Sequence, residues 1–242
     1  MNVKAKSFYA VMFVIGAAYA YADNEVYIDQ VGNGGDIEIV QDGSGNKLGG
    51  GLTDTSKFLL DGADMDFKVN LTGGSNNLIG SIIGTSTVDI DVSGSSNDLL
   101  FDVDKDNSFG ATDGNYLIDI TGGNNDLDFD FGSLDTANDV DFDFVLDGDF
   151  NAADINIDAT GVVFNMDAVS DNSNLLYNAS GYDGHNFVLT GSGNYWDIEV
   201  HQESTLQSDS LEIEYEGSGT STSDATICIS QSDDGLNTNC EG

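Results

Sequence analysis

The chain has no arginine and no proline, two cysteines, and six lysines against 43 acidic residues in a length of 242. Each shortage excludes something. A formal charge of -37 repels phosphate backbones and anionic membrane surfaces, which argues against nucleic-acid binding. No lysine or arginine lies beyond Lys105, so an enzyme that grips and cleaves an acidic polysaccharide would lack cations for the developing anion. The two cysteines have no partner His or further Cys at metal-ligand spacing. Proline removes a ladder donor, and its absence suits a chain in which almost every residue lies close to a hydrogen-bonded sheet. Beyond the N-terminal apolar run no stretch keeps a clean 3.6-residue apolar period, so no amphipathic helix is expected.

That N-terminal run has the parts of a secretory leader. Lys4 and Lys6 precede an apolar core from Phe8 to Ala18, and Ala20-Tyr21-Ala22 forms a small-x-small cleavage site before Asp23. The run is shorter than a bilayer span, which predicts a signal peptide over residues 1–22 and no membrane span after its removal. The processed chain would carry four lysines against the same 43 acids, a charge of -39. Export to the extracellular space, the cell surface or a virion surface fits the cysteines as well. In an oxidising compartment Cys228 and Cys240 can close a short C-terminal loop, worth roughly 3 kcal/mol on the loop-entropy model. Two free thiols in a frayed tail are the alternative.

What the chain has in abundance is one event repeated. An alternating strand runs into a Gly/Asn turn, as in Val26-Tyr-Ile-Asp-Gln30-Val-Gly32-Asn-Gly34, and again in Ile37-Glu-Ile-Val-Gln41-Asp-Gly43-Ser-Gly45-Asn46. Looser copies end in Gly73-Gly-Ser-Asn76, Gly94-Ser-Ser-Asn97, Gly122-Gly-Asn-Asn125 and Gly191-Ser-Gly-Asn194. Between the turns, stretches such as Leu127-Asp-Phe-Asp-Phe131 and Val140-Asp-Phe-Asp-Phe144 put apolar groups on one face and acids on the other. The fold class is therefore all-β. An up-and-down barrel or a sandwich could share this strand spacing, but a turn of one kind recurring after strands of one kind favours a β-solenoid with Gly/Asn corners. Two strands and two corners make a coil of about 20 to 26 residues, and Asn at equivalent corners could form an internal amide ladder. The domain reading is a leader over 1–22, a solenoid over 23–216, and a Ser/Gly-rich break with a final strand over 217–242. Residues 42–58 are glycine-rich and read as a wide loop or a poorly formed coil.

The two opening units, Gln30-x-Gly32-x-Gly34 and Gln41-x-Gly43-x-Gly45-Asn46, lie eleven residues apart from Gln to Gln. They resemble the curlin repeat of curli fibre subunits over about residues 26–46, with a fainter echo at 231–237. The resemblance implies a secreted β-solenoid whose repeats stack into amyloid-like fibres active in cell adhesion and biofilm. It also marks Gln30, Gly32, Gly34, Gln41, Gly43, Gly45 and Asn46 as repeat and assembly residues. The Tyr27-Ile-Asp-Gln-Val-Gly32 opening is similar, in addition, to small exported proteins of large tailed phages. The expected function is thus an exported structural or adhesive subunit, self-associating and meeting cell surfaces or carbohydrate. The alternative is a phage-encoded or virion-associated acidic solenoid that forms no fibres.

The remaining chemistry is sparse. Carboxylates stacked one coil apart, about 4.8 Å, repel by roughly 0.9 kcal/mol per pair in water, and a dozen such contacts would weigh against a net stability of ~5 to 15 kcal/mol. Bridging by calcium is one expectation; a solvated acidic face that discourages edge pairing is the other. The calcium-roll pattern is approached only at Gly122-Gly-Asn-Asn-Asp-Leu127, where Asn and Leu stand in place of Gly and Asp. No Gly-x-Ser-x-Gly elbow or His-Glu-x-x-His occurs. His185 and His201 read as turn and surface residues, Trp196 as core, and the chain as no enzyme.

Overall fold

Strict alternation of apolar and polar side chains dictates strands here, and the register of those strands dictates the rest. The structure, a computed structural model, describes residues 10–14, 24–49, 58–84, 86–103, 114–132, 137–149, 151–181, 184–204, 209–217 and 225–232. They form seventeen strands: β1 (Ala10–Val14), β2 (Asn24–Val26), β3 (Asp29–Val31), β4 (Asp36–Leu48), β5 (Phe58–Asp61), β6 (Met65–Ile83), β7 (Ser86–Ser93), β8 (Asn97–Val103) and β9 (Asn115–Thr121). These are followed by β10 (Asn125–Phe131), β11 (Ala137–Asp147), β12 (Ala152–Val169), β13 (Asn174–Gly181), β14 (Asn186–Gly193), β15 (Asp197–Ser204), β16 (Ser210–Gly217) and β17 (Thr226–Ser232). Among the described residues no helix is long and apolar enough to cross a membrane.

Every pairing is parallel. β7 joins β9, β9 joins β11, and β14 joins β16; β8 joins β10, β13 joins β15, and β15 joins β17. The chain is a β-solenoid of about seven turns, not a sandwich, because each strand bonds to the next coil's equivalent and never to its sequence neighbour reversed. Partners lie 21 to 30 residues apart; most steps fall within the expected coil length, and those from β3 to β5 and β4 to β6, from β7 to β9 and β8 to β10, and from β15 to β17 exceed it. The long strands β4, β6 and β12 pass through a corner and contribute to both stacks of strands. Residues 42–48, expected in a loop, instead complete β4. Its alternation holds there because Asn46 and Leu48 point inward and are buried.

The two stacks face one another across an aromatic core. Tyr116, Phe142, Phe164 and Phe187 stack at 5.1 to 5.7 Å between centroids on one side. Phe101 and Phe129 do so at 5.7 Å on the other, and Phe129 meets Phe142 edge-on at 5.4 Å across the gap. Gly80 leaves room in this layer: a Cβ there would sit 1.8 Å from the Phe58 ring. Trp196 joins the core as the alternation predicts. Five residues of the expected leader, β1, pair with residues 36–40 of β4; the rest of 1–22, like Cys240, lies outside the described residues.

Candidate assembly site

The corner from the first stack to the second carries the most regular chemistry in the molecule. A glycine opens it and a buried asparagine closes it three residues later: Gly43 and Asn46, Gly73 and Asn76, Gly94 and Asn97, Gly122 and Asn125, Gly148 and Asn151. The asparagines form one continuous ladder. Each Nδ2 donates to the Oδ1 of the next coil's asparagine, from Asn24 to Asn46 (2.9 Å), Asn76 (2.8 Å), Asn97 (2.7 Å), Asn125 (2.7 Å) and Asn151 (2.8 Å). Asn24, Asn46, Asn76, Asn125 and Asn151 also each donate to a corner carbonyl, as Asn125 Nδ2 does to Gly122 O at 2.7 Å. Both donors are thereby satisfied out of water, which a buried amide requires. The ladder ends on Ser170, which accepts from Asn151 at 2.9 Å and contacts Ser173. In the next coil Trp196 takes the position and donates to Ser170 O at 2.5 Å.

Glycine at the head of the corner is required by crowding between coils. A Cβ on Gly122 would stand 1.5 Å from Gly94 O, and one on Gly148 would stand 1.7 Å from Gly122 O, at φ of +136° and +144°. Of the glycines singled out from the repeat, Gly32 and Gly34 do adopt positive φ, whereas Gly43 and Gly45 lie inside β4 without it. Gly43 matters for contact: a Cβ would reach within 2.7 Å of Asn24 Nδ2.

The two glutamines do not meet. Gln30 stacks on Leu60 and Gln41 on Leu71, because eleven residues carry the chain from one stack to the other. Gln41 is buried, with its Nε2 3.5 Å from Lys47 O and its Oε1 without a partner. The glutamine contact that exists is at the other end of the molecule. Gln231 donates to Gln202 Oε1 at 2.7 Å. Asn46, alone among the expected assembly residues, sits in the asparagine ladder. Its partners were legible in the sequence as the Gly-x-x-Asn spacing.

The outer face corrects the expectation of long acidic rows. Among the described residues the register brings carboxylate onto carboxylate at only five steps: Asp36 on Asp66, Asp91 on Asp119, Asp98 on Asp126, Asp102 on Asp130, and Asp128 on Asp154. Elsewhere amides and lysine intervene. Asn77 donates to Asp98 at 3.0 Å, Asn165 to Asp143 at 2.9 Å, and Asn156 to Asp130 at 3.1 Å. Lys47 lies 3.5 Å from Glu25. Partial burial, then the Asp89 and Asp119 charges, raise the Asp91 pKa above the ordinary carboxylate value. Burial, then Asp126, raise that of Asp98 against the opposing Asn77 hydrogen bond. Among the described residues no group of three metal-ligating side chains converges.

His185 departs from its reading as a surface residue, for it is fully buried. Its Nδ1 lies 3.0 Å from an Asp209 carboxylate oxygen and its Nε2 2.8 Å from Ala159 O. Both ring nitrogens face an oxygen of another coil. The side chain thus ties corners of three successive coils. His201 stands on β15 with Nε2 2.7 Å from Glu199. Tyr177, buried near Asp209, has its phenol pKa pushed far above the ordinary value by burial first and that carboxylate second.

The last described coil carries the least buried core-register side chains. Ile227 and Ile229 hold inward register positions on Ile198 and Val200 yet are 42% and 48% exposed, and Leu211, Ile213 and Tyr215 are only partly covered. Cys228 lies between the two isoleucines on β17. No protein-family model, curated protein or solved structure matches the chain.

Proposed function

We propose that the protein is an exported, curlin-like structural or adhesive subunit that associates with itself through the ends of its solenoid. One observation carries the reading: core-register residues of the last described coil, Ile227 and Ile229, stand 42% and 48% exposed. Apolar side chains left exposed at the end of a stack favour contact with another apolar surface. The acidic outer faces oppose lateral clumping and leave the ends as the adhesive surfaces. The test is incubation of purified protein near neutral pH, followed by thioflavin fluorescence and electron microscopy. Dye-positive filaments one solenoid wide are expected; a persistently monomeric, dye-negative protein overturns the proposal. N-terminal sequencing of protein recovered outside the producing cell is expected to begin at Asp23.

A further inference from the structure

Several turns and corners set an amide or carboxylate side chain directly before a glycine: Asn33-Gly34, Asp42-Gly43, Asp61-Gly62 and Asp147-Gly148. From such a position the following backbone nitrogen can attack the side-chain carbonyl carbon, and a glycine leaves that approach least hindered. Asparagine loses ammonia in this step; an ionised carboxylate has no comparable leaving group. Asn33-Gly34 is the only asparagine-glycine step in the chain. Crowding between coils sets it apart as well. A Cβ would stand 2.2 Å from Gly32 O at Gly62, 1.7 Å from Gly122 O at Gly148 and 2.7 Å from Asn24 Nδ2 at Gly43, so those glycines are pressed against a neighbouring coil and cannot turn to close a ring. At Gly34 the same atom meets nothing described within 4 Å, and Asn33 is exposed. What restrains Asn33 is a single residue of the second coil. Ala63 N donates to Asn33 Oδ1 at 3.0 Å, and Gly34 N donates to Ala63 O at 2.9 Å. The first bond holds the side chain toward the second coil, and the second engages the proton that the attacking nitrogen has to lose.

We propose that Asn33 is a site of spontaneous deamidation, held closed by Ala63 in the folded protein and released when the first corner lifts from the second coil. That opening costs little, because β2 and β3 have three residues each and residues 31–34 are all exposed. With both bonds broken, the Gly34 nitrogen gives up its proton to water and bonds to Asn33 Cγ; the Cγ–Nδ2 bond breaks and ammonia leaves. Water then opens the cyclic imide at either carbonyl, giving aspartate or isoaspartate with no change of oxidation state. Either product leaves a new carboxylate in a corner that already holds Asp36 on its own coil and Asp61 and Asp64 on the next. Isoaspartate also adds one carbon to the backbone, which the Gly62-Ala63 step of the second coil then no longer matches.

The test incubates the full chain in mildly alkaline buffer, folded and in urea, and locates converted asparagines by peptide mass spectrometry. In urea Asn33 is expected to convert before any other asparagine. In the folded protein the same conversion is expected to run roughly tenfold slower or more, as does any reaction that waits on a local opening. Equal rates in the two states overturn the restraint by Ala63, and another asparagine converting first in either state overturns the site. Asn33→Gln keeps the amide but demands a six-membered ring, and is expected to abolish the conversion in both states; a peptide over residues 24–49 that still gains an acid overturns the assignment. Hydrogen exchange checks the restraint without a substitution. On warming the folded protein, exchange at the Gly34 amide and conversion of Asn33 are expected to accelerate together, since both wait on the bond from Gly34 to Ala63. Conversion that accelerates while the Gly34 amide stays protected overturns the proposal.

Discussion

A single asparagine in the corner column holds more than its own coil. Asn97 accepts from Asn76 and donates to Asn125 in a site closed to water. Asn97→Ala strands the Asn125 oxygen and removes two amide bonds, and is expected to cost about 2 to 3 kcal/mol in denaturant unfolding. An exposed amide such as Asn70, whose side chain only accepts from Thr72 at 3.2 Å, should change stability by less than about 0.5 kcal/mol on the same substitution. His185 makes a sharper case. Removing it leaves the nearly buried Asp209 carboxylate without its partner, and His185→Ala is expected to cost about 3 kcal/mol or more, read from the unfolding midpoint. The asparagine column was visible in the sequence as a spacing. The histidine was not, because a lone His in a turn carries no sign of which carbonyl and which carboxylate two other coils will bring to it.

At the scale of the corner, the two adjacent glycines of Gly122-Gly123 have different duties. A methyl group on Gly122 meets Gly94 O at 1.5 Å and requires a φ of +136° from an L-residue, while one on Gly123 approaches nothing closer than 3.5 Å. Gly122→Ala is therefore expected to destabilise by about 3 kcal/mol or more, with Gly123→Ala nearly neutral. Equal effects in thermal melting would refute the account of the corner as a close approach between coils. The strands needed no such help to be found. Leu127-Asp-Phe-Asp-Phe131 and its kin alternate, and alternation in a half-buried strand has one reading. What misled was composition: residues 42–48 are rich in glycine and asparagine and read as loop, yet they pair in parallel with residues 72–78, skipping only Ser44 and Gly74.

Over the whole molecule the charge acts through a few sites. Asp91 and Asp98 hold protons more tightly when folded than a free carboxylate does. The native state then binds more protons than the unfolded chain in the carboxylate range, so stability rises as pH falls toward these raised pKa values and is lost as pH climbs through them. The unfolding midpoint is expected to increase on acidification from pH 7 into the carboxylate range. A midpoint that falls steadily from neutrality would refute this. Asp91→Asn and Asp98→Asn should flatten the dependence, since an amide at either place has no proton to exchange.

Residues alone determined the strand alternation, the Gly/Asn corners and the acidic exterior, because each follows from local geometry: side chains on a strand face opposite ways, and tight arcs need small or amide-bearing residues. Register belonged to the tertiary structure. Coils of 21 to 30 residues have unequal loops, so which residue lies over which depends on how the whole chain settles its core. That settlement placed Gln30 on Leu60 and not near Gln41, broke the carboxylate rows into five steps, and brought Gln30 and Gln231 to opposite ends of one column.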